Sequence, residues 1–155
     1  MNNRTRSRRG WRLVLATSAL LCIASIAAAN DADQVLGKYW LPDKDGQLDV
    51  YKQGDRYFGR ISAYDVAGQR DEKNPDKALQ SRLILGVNLL EDFAFHAKQA
   101  RWVDGTIYDA KSGKTYKCRL WFEDGDFSML WARVFIGFSL LGRTEKFERV
   151  GAQED

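Results

Sequence analysis

The sequence predicts an all-β protein, an antiparallel sandwich or barrel, from its turn signals and its short aromatic-rich runs. Glycine next to aspartate or serine permits the positive φ that tight hairpins require. Runs of about 5–9 residues lie between such pairs, a spacing typical of β sandwiches and barrels. The pairs are Asp45-Gly46, Gly54-Asp55, Asp104-Gly105, Ser112-Gly113 and Asp124-Gly125.

The strands are placed between these turns. One or two more are expected between Leu83 and Trp102. The polar stretch Asp65–Arg82 interrupts the hairpins, and because Asn-Pro favours a turn, Asp76–Ser81 is predicted to form one short helical turn. The predicted strands are Leu36–Leu41, Leu48–Lys52, Arg56–Tyr64, Gly105–Asp109, Lys114–Phe122, Phe127–Val134 and Thr144–Val150.

Alternation is clearest in Lys114–Phe122. Tyr116, Cys118, Leu120 and Phe122 fall on one face, and polar residues fall on the other. A period of two places the first set in a core. Cys118 is therefore predicted to be a small buried hydrophobic residue and not a nucleophile.

The first 29 residues are predicted to be a secretory signal. Met1–Arg12 is basic, Leu13–Ile26 is apolar or small, and Ala27–Ala29 supplies the small residues of a cleavage site. The apolar run is shorter than the roughly 20 residues of a membrane span. We expect a signal helix cleaved near Ala29, with an uncleaved anchor as the alternative, and a periplasmic or secreted protein. The Arg8-Arg9 pair admits twin-arginine export besides the general route.

The signal segment also explains the composition. The chain has 24 Lys+Arg, 21 Asp+Glu, a net charge of +3 and two cysteines. Five arginines and Cys22 belong to residues 1–29, so the remainder has a net charge of −2 and one cysteine. An internal disulfide is thereby excluded, and a nucleic-acid partner lacks electrostatic support. The remainder suits a single domain, predicted as residues 30–150 with a flexible tail at 151–155 and no transmembrane span.

Two nine-residue segments echo each other. Arg82–Leu90 and Arg133–Leu141 share an arginine, a glycine and two leucines at equal positions. One interpretation is two core strands interrupted by glycine. The other is that Val87–Leu90 and Phe138–Leu141 flank the open end of a barrel and form an apolar entrance.

A series of motifs runs along the chain: Gly37–Trp40, Tyr57–Ile61, Asp71 with Asn74–Asp76, Arg82 with Leu85-Gly86, Trp102–Asp109, Ser112–Cys118, and Gly137 with Leu141–Thr144. Together they strongly resemble the secreted bacterial family known as domain of unknown function 2147, over about Val35–Val150. The resemblance implies a lipocalin-like, up-and-down antiparallel barrel of about eight strands. It carries over no catalytic residue.

The resemblance to lipocalins implies a structural latch. Those proteins pair a glycine-x-tryptophan on the first strand with an arginine on the last, which crosses the indole face. Here Gly37 and Tyr39 share a face, whereas Trp40 points the other way. Arg149 is the candidate latch, with either Tyr39 or a bulge-shifted Trp40 beneath it. A cation–π contact of this kind contributes roughly 0.5–2 kcal/mol.

The candidate ligand-binding residues form two clusters and one pair. The first cluster either orders the long loop through Asx and Arg–carboxylate hydrogen bonds or lines a barrel mouth. The second offers an aromatic wall with one acid, although its aromatic residues also suit a core. In chain order the candidates are Asp71, Asn74, Asp76 and Arg82; Trp102, Tyr108 and Asp109; and Trp131 and Arg133.

No catalytic centre, metal site or cofactor is predicted. His96 is the only histidine, so zinc lacks the ligands of a typical site. We expect a binding module for a small apolar or amphipathic molecule, or else an envelope structural or interaction protein with a filled barrel. A hydrolase using carboxylates such as Asp71, Asp76 or Asp109 is the third hypothesis. The filled barrel would have an interior packed with Tyr116, Leu120, Phe122, Phe127, Met129 and Trp131.

Overall fold

The computed structural model describes residues 31–137 and 140–151, which form one sheet of eight antiparallel strands. Each strand is hydrogen-bonded to the next along the chain, so the topology is up-and-down. Two 3₁₀ turns, Lys77–Leu79 and Ala97–Gln99, connect strands. The strands are β1 (Gly37–Trp40), β2 (Gly46–Gln53), β3 (Arg56–Tyr64), β4 (Asn88–His96), β5 (Arg101–Asp109), β6 (Lys114–Glu123), β7 (Asp126–Phe135) and β8 (Gly142–Glu148).

These elements follow the predicted order; most boundaries differ from the prediction by one or two residues, and one differs by four. The short helical turn is present, capped by the Asp76 carboxylate, which accepts from the Ala78 amide at 2.9 Å. One strand, β4, lies between Leu83 and Trp102. Strand β5 begins at Arg101 and not at Gly105, because the Asp-Gly pair that suggested a turn is a β-bulge within the strand. The predicted signal helix in residues 1–29 lies outside the described residues, as does tail segment 152–155.

The sheet closes where the chain returns to β1. Arg149 pairs with Tyr39 in an antiparallel bridge, and the Val150 amide donates to the Lys38 carbonyl at 2.9 Å. The barrel is therefore closed mainly by Arg149 and Val150, the residues that follow β8, which bond to β1. Within the described part of the chain, no helix is long and apolar enough to cross a membrane.

The Arg149 side chain reinforces this closure. Its guanidinium lies over the Tyr39 ring, 4.7 Å from the centroid, whereas Trp40 lies beneath the Lys44 ammonium at 5.8 Å. Gly37 has φ +131°, and an added Cβ would lie 2.7 Å from Arg149 Nη1, so glycine leaves the space that the guanidinium fills. Arg149 also donates to three backbone carbonyls, those of Gln34 (2.7 Å), Leu36 (2.8 Å) and Phe127 (2.8 Å).

One end of the barrel, here called the closed end, is filled. The segment 31–36 reaches across it and buries Ala32 and Val35. Trp102 Nε1 donates to the Ala32 carbonyl at 3.1 Å, and the Tyr39 hydroxyl donates to the Val35 carbonyl at 3.0 Å. The Trp102 ring packs against three further aromatic rings, those of Tyr57, Phe95 and Phe122.

The opposite end, here called the mouth, is formed by four connections: 41–45, 65–87, 110–113 and 136–141. The end of connection 65–87 extends the sheet beside β3, since the Ile61 amide donates to the Val87 carbonyl at 2.9 Å. The start of the same connection is joined to connection 41–45, because the Asp65 amide donates to the Asp45 carbonyl at 2.9 Å.

The inward faces of β6 and β7 meet in the core. Cys118 and Leu120 of β6 are buried, as the alternation predicts. In β7 the buried residues are Leu130, Ala132 and Val134, so strand alternation places Met129 and Trp131 on the outer face. The predicted interior set is therefore wrong for Met129 and Trp131, and also for Phe127, which is exposed at the start of β7.

Candidate functional site

A cavity of about 290 Å³ opens at the mouth, above the filled half of the barrel. Its wall is made by inward-facing residues near the mouth ends of the strands and by Ile84 of the long loop, which is buried. This wall is mainly aliphatic, with four aromatic residues. Its apolar and aromatic members include Leu41, Ile61, Tyr64, Ile84, Leu89, Ile107, Tyr108, Tyr116, Val134 and Phe147.

Charged side chains surround the opening of the cavity and pair with one another. Lys111 Nζ lies 2.6 Å from Asp43 Oδ2 and 2.9 Å from Asp45 Oδ2, so it ties connection 110–113 to connection 41–45. These two carboxylates raise the pKa of Lys111, chiefly through their hydrogen bonds. Arg143 Nε pairs with Glu145 Oε1 at 2.7 Å. Because each cation has an acidic partner, the opening has no surplus positive charge to attract a strongly anionic molecule.

The Asp71 cluster lies outside the barrel wall. Asp71 is fully buried, and Arg82 Nη2 pairs with its Oδ2 at 2.8 Å. Asn74 Nδ2 donates to the same oxygen at 2.8 Å, and the Tyr108 hydroxyl donates to Oδ1 at 2.5 Å. Asp76 caps the 3₁₀ turn that follows. The cluster therefore fastens the long loop against β5, and both Asp71 oxygens are engaged.

The same contacts shift two pKa values in opposite directions. Burial acts to raise the pKa of Asp71, but the hydrogen bonds from Tyr108, Asn74 and Arg82 outweigh it and hold that pKa below its ordinary value. Burial, followed by the hydrogen bond to Asp71, raises the pKa of Tyr108 to about 12. Asp71 is thus held as a carboxylate and Tyr108 as a neutral donor, an arrangement that stabilises the loop.

The structure separates Trp102 from the other two members of the second cluster. Trp102 is in the aromatic core of the closed end, whereas Tyr108 donates a hydrogen bond to Asp71 of the long loop and, with Asp109, lines the mouth cavity. A bulge in β5 between Trp102 and Gly105, with Asp104 at φ +63°, breaks the alternation that would have put both rings on one face. Asp109 lies at the mouth, where its carboxylate closes a turn by accepting from the Lys111 amide at 3.0 Å and the Ser112 hydroxyl at 2.7 Å.

Trp131 and Arg133 lie on the outer face of β7. Trp131 stacks on Trp121 with ring centroids 6.3 Å apart, and the Lys146 ammonium lies 4.1 Å from its ring. Arg133 donates to the Thr144 hydroxyl at 3.2 Å. Of the sequence candidates, only Tyr108 and Asp109 line the mouth cavity, and the others lie in the long loop, at the closed end or on the outer face of β7.

The echo segments both reach the mouth but differ in burial. Val87 and Leu89 are buried, and Leu89 lines the cavity, whereas Leu140 and Leu141 are 89% and 76% exposed. Phe138 lies outside the described residues. The first segment is thus cavity wall, and the described leucines of the second form part of the exposed surface.

Sequence reasoning missed most of the cavity wall. Ile61, Ile107, Val134 and Phe147 lie on strands that the turn signals identified, and alternation marks them as inward-facing. The missing information was which half of the barrel is filled. Among the described residues, no three His, Cys, Asp or Glu side chains come together in a way that could hold a metal ion.

The comparisons with known proteins agree with this architecture. The family model described as "Uncharacterized protein conserved in bacteria (DUF2147)" matches residues 37–149. The chain belongs to this family. Its structure is also similar to that of protein HP1028 from Helicobacter pylori, which is described as belonging to the lipocalin family. The TM-score is 0.65 and the sequence identity 20%, over 77% of this chain and 85% of that chain. That likeness shows the fold, so the predicted lipocalin-like barrel and the predicted family are both confirmed. No curated protein matches the chain.

Proposed function

We propose that this member of the family is an exported binding protein that holds a small apolar or amphipathic molecule in the mouth cavity. The observation that carries the proposal is the cavity, which is mainly aliphatic, opens to solvent and ends on a filled aromatic core. Ligand sites are typically concave and mostly apolar, with a few polar groups.

The size of the cavity limits the ligand. Its volume of about 290 Å³ is at the lower limit of the roughly 300–1,000 Å³ found for ligand pockets. It corresponds to about ten water molecules at liquid density, so about ten non-hydrogen atoms can be enclosed. A longer molecule would leave its remaining part at the opening.

The polar groups at the opening favour a neutral or weakly polar head. Lys111 and Arg143 are paired with carboxylates, and a charged ligand would have to displace one of those pairs. The apolar wall therefore supplies the affinity in this proposal. The carboxylates considered for catalysis already have hydrogen-bond partners: Asp71 and Asp76 in the loop, and Asp109, which also lines the cavity, in a turn.

Export of the protein belongs to the same proposal. It is supported by the basic, apolar and small-residue order of residues 1–29. Cell fractionation and N-terminal sequencing test it. We expect a periplasmic or secreted protein that begins at Asn30, and a protein that retains Met1 in the cytoplasm would contradict export.

Binding is tested with N-phenyl-1-naphthylamine, a neutral apolar fluorophore. The wild type is expected to bind it saturably. Ile107→Trp, which fills the cavity, should weaken binding by roughly tenfold or more because the displaced apolar contacts are lost. Thr106→Trp is the matched control, since the adjacent residue lies in the groove outside the barrel; it should bind like the wild type.

Two outcomes would overturn the ligand proposal. The first is a folded wild type that does not bind the probe and carries no small molecule in native mass spectrometry after purification from the envelope. The second is equal binding by both tryptophan variants, with their fold verified by circular dichroism. Either outcome would favour the filled-barrel interaction protein.

A further inference from the structure

The exposed apolar residues of this protein are concentrated at one end. Eight large hydrophobic residues are exposed in the described part of the chain, and seven of them lie in the mouth connections 65–87 and 136–141. The exception is Phe127, near the closed end. The six most exposed, here called the apolar rim, are Val66, Leu83, Leu85, Ile136, Leu140 and Leu141; of these, Leu83 and Leu85 line the groove outside the barrel that also contains Thr106.

The exposure of the rim is unusual for surface residues. Leu140, Leu141 and Ile136 are 89%, 76% and 72% exposed. The sequence of connection 136–141, Ile-Gly-Phe-Ser-Leu-Leu, contains no charged residue. Single exposed apolar residues are ordinary, but a concentration of them at one site marks an interaction surface.

Charge is distributed unequally between the two ends. The four mouth connections contain six acidic and six basic residues, so their net charge is zero. At the closed end, the N-terminal segment 31–36, the turns 54–55, 97–100 and 124–125 and the residues 149–151 after β8 contain four acids, Asp31, Asp33, Asp55 and Asp124, against two bases, Lys98 and Arg149. A membrane with anionic lipids therefore repels the closed end more than it repels the mouth, which favours an orientation with the mouth toward the membrane.

We propose that the apolar rim docks on a lipid bilayer surface, with the mouth turned toward the lipid. The rim consists of leucine, isoleucine and valine, whereas the residues that dominate protein–protein binding energies are mainly tryptophan, tyrosine and arginine. Aliphatic side chains on loops enter the headgroup boundary without needing a complementary partner surface. The additional claim that the bilayer delivers the ligand rests on the proposed function, because the cavity opens at the same end.

Flotation of the purified protein with phosphatidylcholine–phosphatidylethanolamine vesicles tests the docking. The wild type should float with the vesicles. Leu140→Ser combined with Leu141→Ser should reduce the bound fraction roughly tenfold or more, since two apolar side chains no longer leave water. Phe127→Ser is the matched control, because it removes the exposed hydrophobic residue that is not at the mouth; it should float like the wild type.

The two proposals fail separately. Ile107→Trp should lose the naphthylamine probe but still float, and the double leucine variant should keep the probe but not float. Docking is overturned if the wild type does not float, or if the double leucine variant floats equally. It is also overturned if size-exclusion chromatography shows a dimer that the leucine changes dissociate while vesicle binding is absent.

Discussion

Replacing Arg149 by alanine should strongly destabilise the barrel. The guanidinium donates to three backbone carbonyls, at 2.7, 2.8 and 2.8 Å, and lies over Tyr39 at 4.7 Å. Hydrogen bonds to charged groups contribute about 1.5–3 kcal/mol each, and a cation–π contact adds about 0.5–2 kcal/mol. Because the half-exposed carbonyls can accept hydrogen bonds from water in the variant, we expect the free energy of unfolding to fall by only about 2–4 kcal/mol.

That loss is a large part of the stability of the domain. A domain of this size has a free energy of unfolding of about 6–18 kcal/mol. Urea denaturation followed by tryptophan fluorescence measures the change, with a slope of about 1–3 kcal/mol per molar urea. At a slope near 2 kcal/mol per molar, the midpoint should fall by about 1–2 M.

Three controls assign the loss to the latch. Arg149→Lys keeps the charge but cannot make three directed hydrogen bonds, so it should recover only part of the stability. Tyr39→Phe keeps the ring and loses the hydroxyl bond to Val35, at a cost of about 1 kcal/mol. A double-mutant cycle of Arg149→Ala with Tyr39→Leu should give a coupling energy of about 0.5–2 kcal/mol. A loss below about 0.5 kcal/mol for Arg149→Ala, with no coupling to Tyr39, would refute the latch.

Three further predictions concern buried groups. Burial raises the pKa of Cys118 to about 12, so the native thiol should resist Ellman's reagent at pH 8 and react only on unfolding; rapid native labelling would contradict this. The pKa of Asp71 is lowered on folding, so its stabilisation is present above the ordinary carboxyl value of 3.8 and is lost as pH falls through the folded value. Asp71→Asn should therefore lower the free energy of unfolding by about 2–4 kcal/mol at pH 7. The variant should also lose less stability than the wild type as the pH is lowered, and an equal loss in both proteins would contradict this role of Asp71. A Cβ on Gly105 would lie 2.4 Å from the Phe93 ring, so Gly105→Ala should lower stability by about 1–3 kcal/mol in thermal unfolding, and an unchanged melting temperature would show that the ring moves freely.

The elements that the sequence predicts well are those with a local signal. Alternation in Lys114–Phe122 places Cys118 and Leu120 in the core, where the structure has them. Asn-Pro followed by Asp76 marks the short helical turn, because the aspartate side chain can cap the next amides. Of the two residues considered for the latch, Tyr39 lies on the same strand face as Gly37, and this is the face that Arg149 contacts.

The candidate site is predicted less well because β-bulges change strand parity. Asp92 in β4 and Asp104 in β5 have positive φ values of 61° and 63°, yet neither is a glycine that would announce the irregularity. Across the bulge at Asp104, residues six apart no longer share a face. The sequence therefore suggests one aromatic wall for Trp102 and Tyr108, whereas the structure places Trp102 in the closed-end core and Tyr108 at the mouth, bonded to the long loop.

The cavity itself depends on a contact that no local pattern contains. From the sequence, segment 31–36 could pack against the strands or extend into solvent. The hydrogen bond from Trp102 to the Ala32 carbonyl and the burial of Val35 show that it fills one end of the barrel. The latch, the aromatic rings and this segment all belong to the closed end, whereas the aliphatic cavity and the apolar rim belong to the mouth. Stability and the proposed binding therefore depend on different residues of the same eight strands. This separation explains why an uncharged connection with exposed leucines is compatible with a stable barrel: the described residues of connection 136–141 contribute no side chain to the buried core.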